Sequence, residues 1–489
     1  MVRHVSRTVL LALTLGVVVH LPAVSALELL ETGDMARDAI DLYRAGNDAE
    51  AAVRFHALLK DESQSEQKDE IRLYLGRSLD AMGMGHSASR YLYQSARWPT
   101  LYGSEAAGSL FLVEEKIGPD LRSDGSLRTI NADTQIPRWA KGTWDFLRGV
   151  QAVAEGRWDD ALTLLDDVRG PHKAEAFFLR GLALERKGDV EAAGRSYRAT
   201  GGLERATTLD AAQWGAGVDD RNQELARLEV AWNDKMKQID GVGVTVSIDP
   251  LPKLPASPAF THSWVAPFPH VQAQLGVARS QISLDHPKVA LGILRQIPPD
   301  VMLGREATLW AGRAAYQSSA WTTSLELLES ATGGEPDLTT LKVLALRRQA
   351  SPEAKEQSAL ARRIQEQAYQ LELVLRKLSS EYPAEKAFEV FRAQMLTAQG
   401  PFPPTLVERL LIDPVMYNLC RRVQSIEMEQ LRFMTLPSTW QQSTLGTETK
   451  TNLAADLPIY KAAAGQRILV LVQQELAEVT AVKEQAGQK

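Results

Sequence analysis

The chain has 489 residues, 44% of them hydrophobic and 24% charged, and 55 Lys and Arg against 61 Asp and Glu give a formal net charge of −6. This is ordinary globular composition, enough at this length for a sizeable interior spread over two or three domains. A mildly acidic balance without a clustered basic face argues against nucleic acid as a partner and disfavours adhesion to anionic lipid.

At the N-terminus, Arg3, His4 and Arg7 precede an apolar run over residues 9–19, followed by Pro22 and the small-residue site Val24-Ser25-Ala26. This is the layout of a secretory signal peptide, with cleavage expected before Leu27. The run falls short of the about 20 residues that span a bilayer, and an uncleaved anchor is the alternative. No cysteine follows the cleavage site to carry a lipid, so a soluble periplasmic protein without stable membrane insertion is expected. The single cysteine, Cys420, has no intrachain disulfide partner and reads as a buried, inert thiol.

A repeated spacing follows. In DAIDLYRAGNDAEAAVRFHALL, Ala39 precedes Ala51 by twelve residues with Gly46 between them, and LYLGRSLDAMGMGHSASRYLYQSA repeats this with Gly76, Gly83 and Ala88. An amphipathic helix over 104–116 is expected to pack on the second copy as a half-unit, its second helix having decayed into the Gly-, Pro- and Ser-bearing stretch up to Pro137. Two further copies lie end to end, with 161 − 149 = 193 − 181 = 12 and a repeat of 181 − 149 = 32. Gly149 and Gly181 mark where antiparallel helices approach closely, Gly156 and Gly188 close the first helix in the left-handed conformation, and Ala161 and Ala193 open the second contact. Later, Gly312 pairs with Ser324, with Ser319 in place of the turn glycine, and a looser copy starting at Gly276 carries two extra turn residues.

This pattern resembles the tetratricopeptide repeat (TPR) family, whose period is about 34 residues. The resemblance covers roughly half the chain in two blocks. It implies an all-α fold, a right-handed α-solenoid whose first helices line a concave groove that holds an extended peptide or a helix. The groove positions carried over are Phe146, Val150 and Val153 in one copy and Phe178, Leu182 and Glu185 in the next. They are mostly apolar and lack the Lys, Asn and Arg of the carboxylate-clamping subclass, which implies an apolar partner surface or a piece of the chain itself. The N-terminal copies are more polar, with Glu70, Leu73, Arg77 and Asp80 at those positions.

After Thr200 a short segment at 209–214 and a longer helix over 220–239 are expected. Residues 241–269 then form an extended, Pro-rich insert in which Val244, Val246, Phe260, Trp264 and Phe268 need cover, so it is expected to lie against the solenoid. A second repeat block follows over 270–350. From residue 351 the chain turns to longer helices. Leu360, Ile364, Ala368, Leu371, Leu375 and Leu378 form a heptad-like stripe, read as packing on the last repeat, with an intermolecular coiled coil as the alternative. Helices are expected from Pro383 to Ala398 and from Val415 to Leu436, then a polar loop from Ser438 to Asp456, and a final helix from Tyr460 to about Glu484 that caps the array. The divisions are therefore 1–26, 27–240, 241–269, 270–350 and 351–489.

The histidines show no metal-ligand spacing, and neither a phosphate loop nor a nucleophile elbow is present, so no catalytic residue, metal or cofactor is assigned. Trp158 and Trp321 occupy equivalent repeat positions and read as inter-helix core, whereas Trp98, Trp264 and Trp440 lie in or beside loops where a ligand could reach them. The expectation is a non-enzymatic exported scaffold or adaptor that binds proteins in a bacterial envelope, with possible self-association through the C-terminal helices. Its layout is similar to periplasmic TPR components of delta-proteobacterial envelope and gliding-motility assemblies. The alternatives are a cell-wall enzyme of the helical-superhelix lytic transglycosylase type and a glycan- or lipid-binding solenoid.

Overall fold

The computed structural model describes residues 34–61, 67–120, 130, 136–168, 172–200, 269–299, 303–331, 337–397 and 400–487. The expected signal peptide, the helix expected over 220–239 and the Pro-rich insert up to residue 268 lie outside the described residues.

The described residues form twenty α-helices and no strand. In chain order these are α1 (Asp34–Arg44), α2 (Asp48–Lys60), α3 (Lys68–Ala81), α4 (Gly85–Ala96), α5 (Leu101–Ile117), α6 (Lys141–Ala154), α7 (Trp158–Asp166), α8 (Lys173–Lys187), α9 (Val190–Ala199) and α10 (Pro269–Ser283). There follow α11 (Pro287–Leu294), α12 (Gly304–Gln317), α13 (Trp321–Ser330), α14 (Leu338–Ala350), α15 (Ala354–Glu381), α16 (Ala384–Thr397), α17 (Pro404–Ile412), α18 (Pro414–Thr435), α19 (Ser438–Gln441) and α20 (Thr444–Gly487).

One turn recurs at six helix pairs among these residues: α1/α2, α3/α4, α6/α7, α8/α9, α10/α11 and α12/α13. In each, a single residue adopts positive φ: Gly46, Gly83, Gly156, Gly188, Asp285 or Ser319. The next N–H reaches back five residues, as from Asn47 to Leu42, Arg157 to Ala152, His286 to Gln281 and Ala320 to Ala315, at 2.8 to 3.0 Å. The positive-φ residue itself donates three residues back, so the last carbonyls of the first helix are satisfied by the turn.

Seven residues before the turn and five after it, each pair has a small residue, and four positions further a large apolar one. Ala51, Ala88, Ala161, Ala193, Ala290 and Ser324 are all fully buried. A Cβ added at Gly76 would fall 2.5 Å from Leu92, at Gly149 2.4 Å from Leu165, at Gly181 2.5 Å from Tyr197 and at Gly312 2.5 Å from Leu328. In each case the large residue lies 16 positions after the glycine (165 − 149, 197 − 181). The missing Cβ is thus the space that the large side chain fills.

The pair expected to be loose is regular. Its turn residue is Asp285, so its first small residue is Ala278 and not Gly276, and 285 − 278 = 7, 290 − 278 = 12 and 294 − 278 = 16. Ala278, Ala290 and Leu294 are buried as in the other pairs. The misreading came from assuming glycine at the close contact, where alanine suffices. Gly276 has another role: a Cβ there would meet the second edge of the Tyr197 ring at 2.6 Å, while Gly181 meets the first. α10 therefore packs directly on α9 and α8, although residues 201–268 separate them in sequence.

The half-unit reading of α5 agrees with its packing on α3 and α4. The C-terminal third differs from expectation. The supposed polar loop up to Asp456 is helical, because Leu445, Thr449 and Leu453 are buried at four-residue spacing on one side of α20. α20 runs for 44 residues with Pro458 inside it, about 66 Å at 1.5 Å per residue. It is no end cap. Its second half lies antiparallel to α15, with Lys483 bonded to Glu372 at 2.8 Å. The six-residue stripe of α15 is buried with α20 side chains such as Ile468, Val472 and Val479, so the stripe is used within the chain, against α20 and α14. α16 crosses α20 so closely that a Cβ at Gly465 would fall 1.6 Å from the Ala384 carbonyl oxygen. The first half of α20 continues to α2 and α4. Among the described residues no helix is long and apolar enough to cross a membrane.

Candidate protein-interaction surface

The groove residues read from the sequence come together on adjacent helices, yet they are covered. Phe146, Val150, Val153 and Phe178 are at most 7% exposed. Phe146 stacks under the His172 ring with centroids 4.4 Å apart, and Phe178 lies against Tyr197. Leu182 is half-buried. Glu185 accepts from Arg279 of α10 at 2.7 and 2.9 Å and from the Tyr197 hydroxyl at 2.6 Å. Burial opposes ionisation of Glu185, but the Arg279 guanidinium and the Tyr197 hydrogen bond outweigh it and hold the carboxyl below its usual range. In this structure these six residues pack between α6, α8, α9 and α10.

An open cleft does lie on first-helix faces, at the N-terminal pairs. About 440 Å³ in volume, it is lined by residues of α1, α3 and α5, among them Tyr43, Arg44, Arg77, Asp80, Ser109 and Leu112. Arg77 and Asp80 stand one and four residues after Gly76, as Val150 and Val153 stand after Gly149. Arg77 donates to Ser109 at 3.0 Å and to Glu105 at 3.0 Å, and Lys116 bonds Asp80 at 2.8 Å. Tyr43 packs edge-on against Tyr74, with centroids 5.3 Å apart. Polar side chains around an aromatic body, with Arg77 and Ser109 buried and Arg44 and Asp80 reached by solvent, suit an extended polar segment better than a greasy helix. Glu70 and Leu73, the other polar-copy positions, are buried.

The second-helix side is partly overlaid by the chain itself. α18 and α20 lie on α2, α4 and α5, and the charges of α18 match the helix ends beneath them. Glu429 accepts the N–H groups of His86 and Ser87 at the start of α4, Arg432 donates to the Met82 carbonyl that ends α3, and Arg421 and Arg422 donate to carbonyls of Glu115, Lys116 and Gly118 at the end of α5. A carboxylate at a helix N-terminus and guanidiniums at C-termini complement the partial charges there. α20 adds Glu448 to His56, Lys60 and Tyr91, Asp456 to His86 at 2.9 Å and Tyr460 to Asp120 at 3.0 Å. Burial raises the Glu429 carboxyl to about 7 against the pull of those hydrogen bonds and of Arg422, and burial lowers His86 to about 4 although Asp456 favours its charged form. None of these partners was visible in the sequence, because each pairing spans about 300 residues or more and no local pattern marks it.

Trp440 and Trp321 fall the other way from their sequence reading. Trp440 is 4% exposed, stacks edge-on with Phe433 and donates to the Ala49 carbonyl, so it is core. Trp321 is 47% exposed and leans on Tyr316, and Trp158 is half-buried over Gly156, because the first residue of a second helix faces back over the turn and not into the pair. Trp98 is exposed. Burial pushes the Cys420 thiol up to about 12, which keeps it from forming a thiolate. Among the described residues no group of three or more His, Cys, Asp or Glu is placed to hold a metal ion. Neither protein-family models nor curated proteins match the chain.

Proposed function

We propose that the chain is an exported, non-enzymatic scaffold of the tetratricopeptide type, an α-solenoid that holds protein partners in a bacterial cell envelope. One observation carries this reading: six helix pairs share the same positive-φ turn and the same buried small residue five positions after it. Stacking such units produces a long face of first helices and no catalytic pocket of its own, which is the geometry of a binding platform. The cleft over α1, α3 and α5 is the partner seat, with Arg44 and Asp80 at its polar edge. Because side chains of both signs line it, the fitting partner is an extended peptide segment of mixed charge that pairs with both.

The test is retention of envelope proteins on the immobilised chain, identified by mass spectrometry, beside an Arg44→Glu/Asp80→Lys variant of unchanged helicity. A defined set retained by the parent and lost by the variant is expected. Equal retention by both, or clearing of cell-wall material in a zymogram, overturns the reading.

A further inference from the structure

α15 buries one stripe and leaves the opposite side bare. On that side it exposes two large apolar side chains one turn apart, Tyr369 at 52% and Leu373 at 45%. At about 100° per residue, the row Arg362, Glu366, Tyr369, Leu373, Arg376 and Ser380 runs straight along the helix, diametrically opposite the stripe that packs on α20. A helix laid on this row leaves the buried stripe untouched. The Tyr369 ring is held in place by Lys483 of α20, whose ammonium lies 5.8 Å from its centroid while it bonds Glu372. Arg376 is likewise steadied, giving Nε and one Nη to Glu372 at 3.0 and 2.8 Å, two of five donors. Both anchors are therefore ordered before any partner arrives, which lowers the entropic cost of docking.

The order of charges selects the partner. Reversed end to end about a twofold axis between positions 369 and 373, the row complements itself: 369 + 373 = 366 + 376 = 362 + 380. Tyr369 then meets Leu373, Glu366 meets Arg376, and Arg362 and Arg363 meet the end that carries Ser380 and Glu381. A parallel pairing in register would set Glu366 against Glu366 and Arg376 against Arg376, and like charges facing each other are unfavourable. We propose that this face of α15 docks antiparallel on the same face of a second copy of the chain, forming an isologous twofold dimer. The inference goes beyond the scaffold reading and does not depend on it. Its consequence is a platform with two partner seats, binding with avidity where partners are clustered.

The experiment is sedimentation equilibrium on the chain lacking only residues 1–26, in low and high salt. A dimer with a dissociation constant on the order of 1–100 µM is expected, as fits a small interface. Glu366→Arg and Arg376→Glu should each weaken it about tenfold or more, and the double reversal should return it to within about threefold of the parent. In a Cys420→Ser background, Tyr369→Cys with Leu373→Cys should form a covalent dimer on oxidation, while Tyr369→Cys alone should not. These substitutions lie on an exposed face, and unchanged helicity checks their folding. A monomer at all concentrations, a double reversal no better than the singles, or efficient crosslinking by Tyr369→Cys alone would overturn the proposal.

Discussion

The carboxylate of Glu429 accepts the backbone N–H of His86 at 2.8 Å across 343 positions of sequence. The same histidine turns its ring to Asp456. A buried acid and a buried base thus share one helix start, and their titrations oppose each other. Glu429, raised from 4.5 to about 7, makes the folded state bind the extra proton. Its contribution is fully present below pH 4.5 and is lost as pH rises through 7. His86, lowered from 6.5 to about 4, makes the folded state refuse one. Its contribution is present above pH 6.5 and is lost as pH falls through 4.

Between pH 4.5 and 6.5 the two slopes largely cancel, so the parent chain should show a shallow dependence. Glu429→Gln keeps an acceptor for the N–H groups and removes one titration. The unfolding free energy of that variant, from urea titrations, should fall as pH drops from 6.5 to 4, by on the order of 2–3 kcal/mol. A flat profile in the variant would mean that His86 titrates alike in folded and unfolded chains.

The close-contact glycines should rank by what their neighbour can do. At Gly149 the obstacle is the tip of Leu165, which can rotate. At Gly181 it is Tyr197, already fixed from the other edge by Gly276, and at Gly465 it is a backbone carbonyl. Alanine should therefore cost least at 149, more at 181 and most at 465, within about 1–3 kcal/mol for the first two. Thermal melting of the three variants checks the order.

Ser319 adopts φ of 59° and Asp285 of 60°, where the other four turns use glycine. Side chains are strained in this region by roughly 1 kcal/mol, partly offset by the greater freedom of unfolded glycine. Ser319→Gly should raise the melting temperature, with a gain of about 0.5 kcal/mol. Gly156→Ala should do the reverse by a similar or larger amount.

Arg279 joins α10 to Glu185 across the stretch of 201–268. With both side chains a little over a quarter exposed, Arg279→Ala should cost about 1–2 kcal/mol, less than a fully buried pair. Hydrogen exchange should speed up in α8 to α10 and not in α15. The double variant with Glu185→Gln should cost less than the sum of the singles.

Much of the helical architecture was legible because a period of 7, 12 and 16 residues is written in small and large side chains, and volume repeats even where identity does not. Asp285 and Ala278 show the limit: the spacing persisted while the glycines that signalled it were gone. Helix α20 was half missed because its first turns are polar outside, and two large apolar residues eight apart, Leu445 and Leu453, carry little helical signal in a sequence. The six candidate groove residues lie on neighbouring helices, yet the His172 ring over Phe146 and the Arg279 clamp on Glu185 come from other elements. Exposure is decided by such elements, and no single repeat encodes it.

Closure by α18 and α20 also fixes an order of events. A row of helix pairs that touches only its neighbours can form piecemeal from its beginning as the chain emerges. Here the start of α4 and the ends of α3 and α5 wait for Glu429, Arg432, Arg421 and Arg422, which are made more than 300 residues later. The earliest pairs are therefore finished last, and long-range pairing of this kind slows folding.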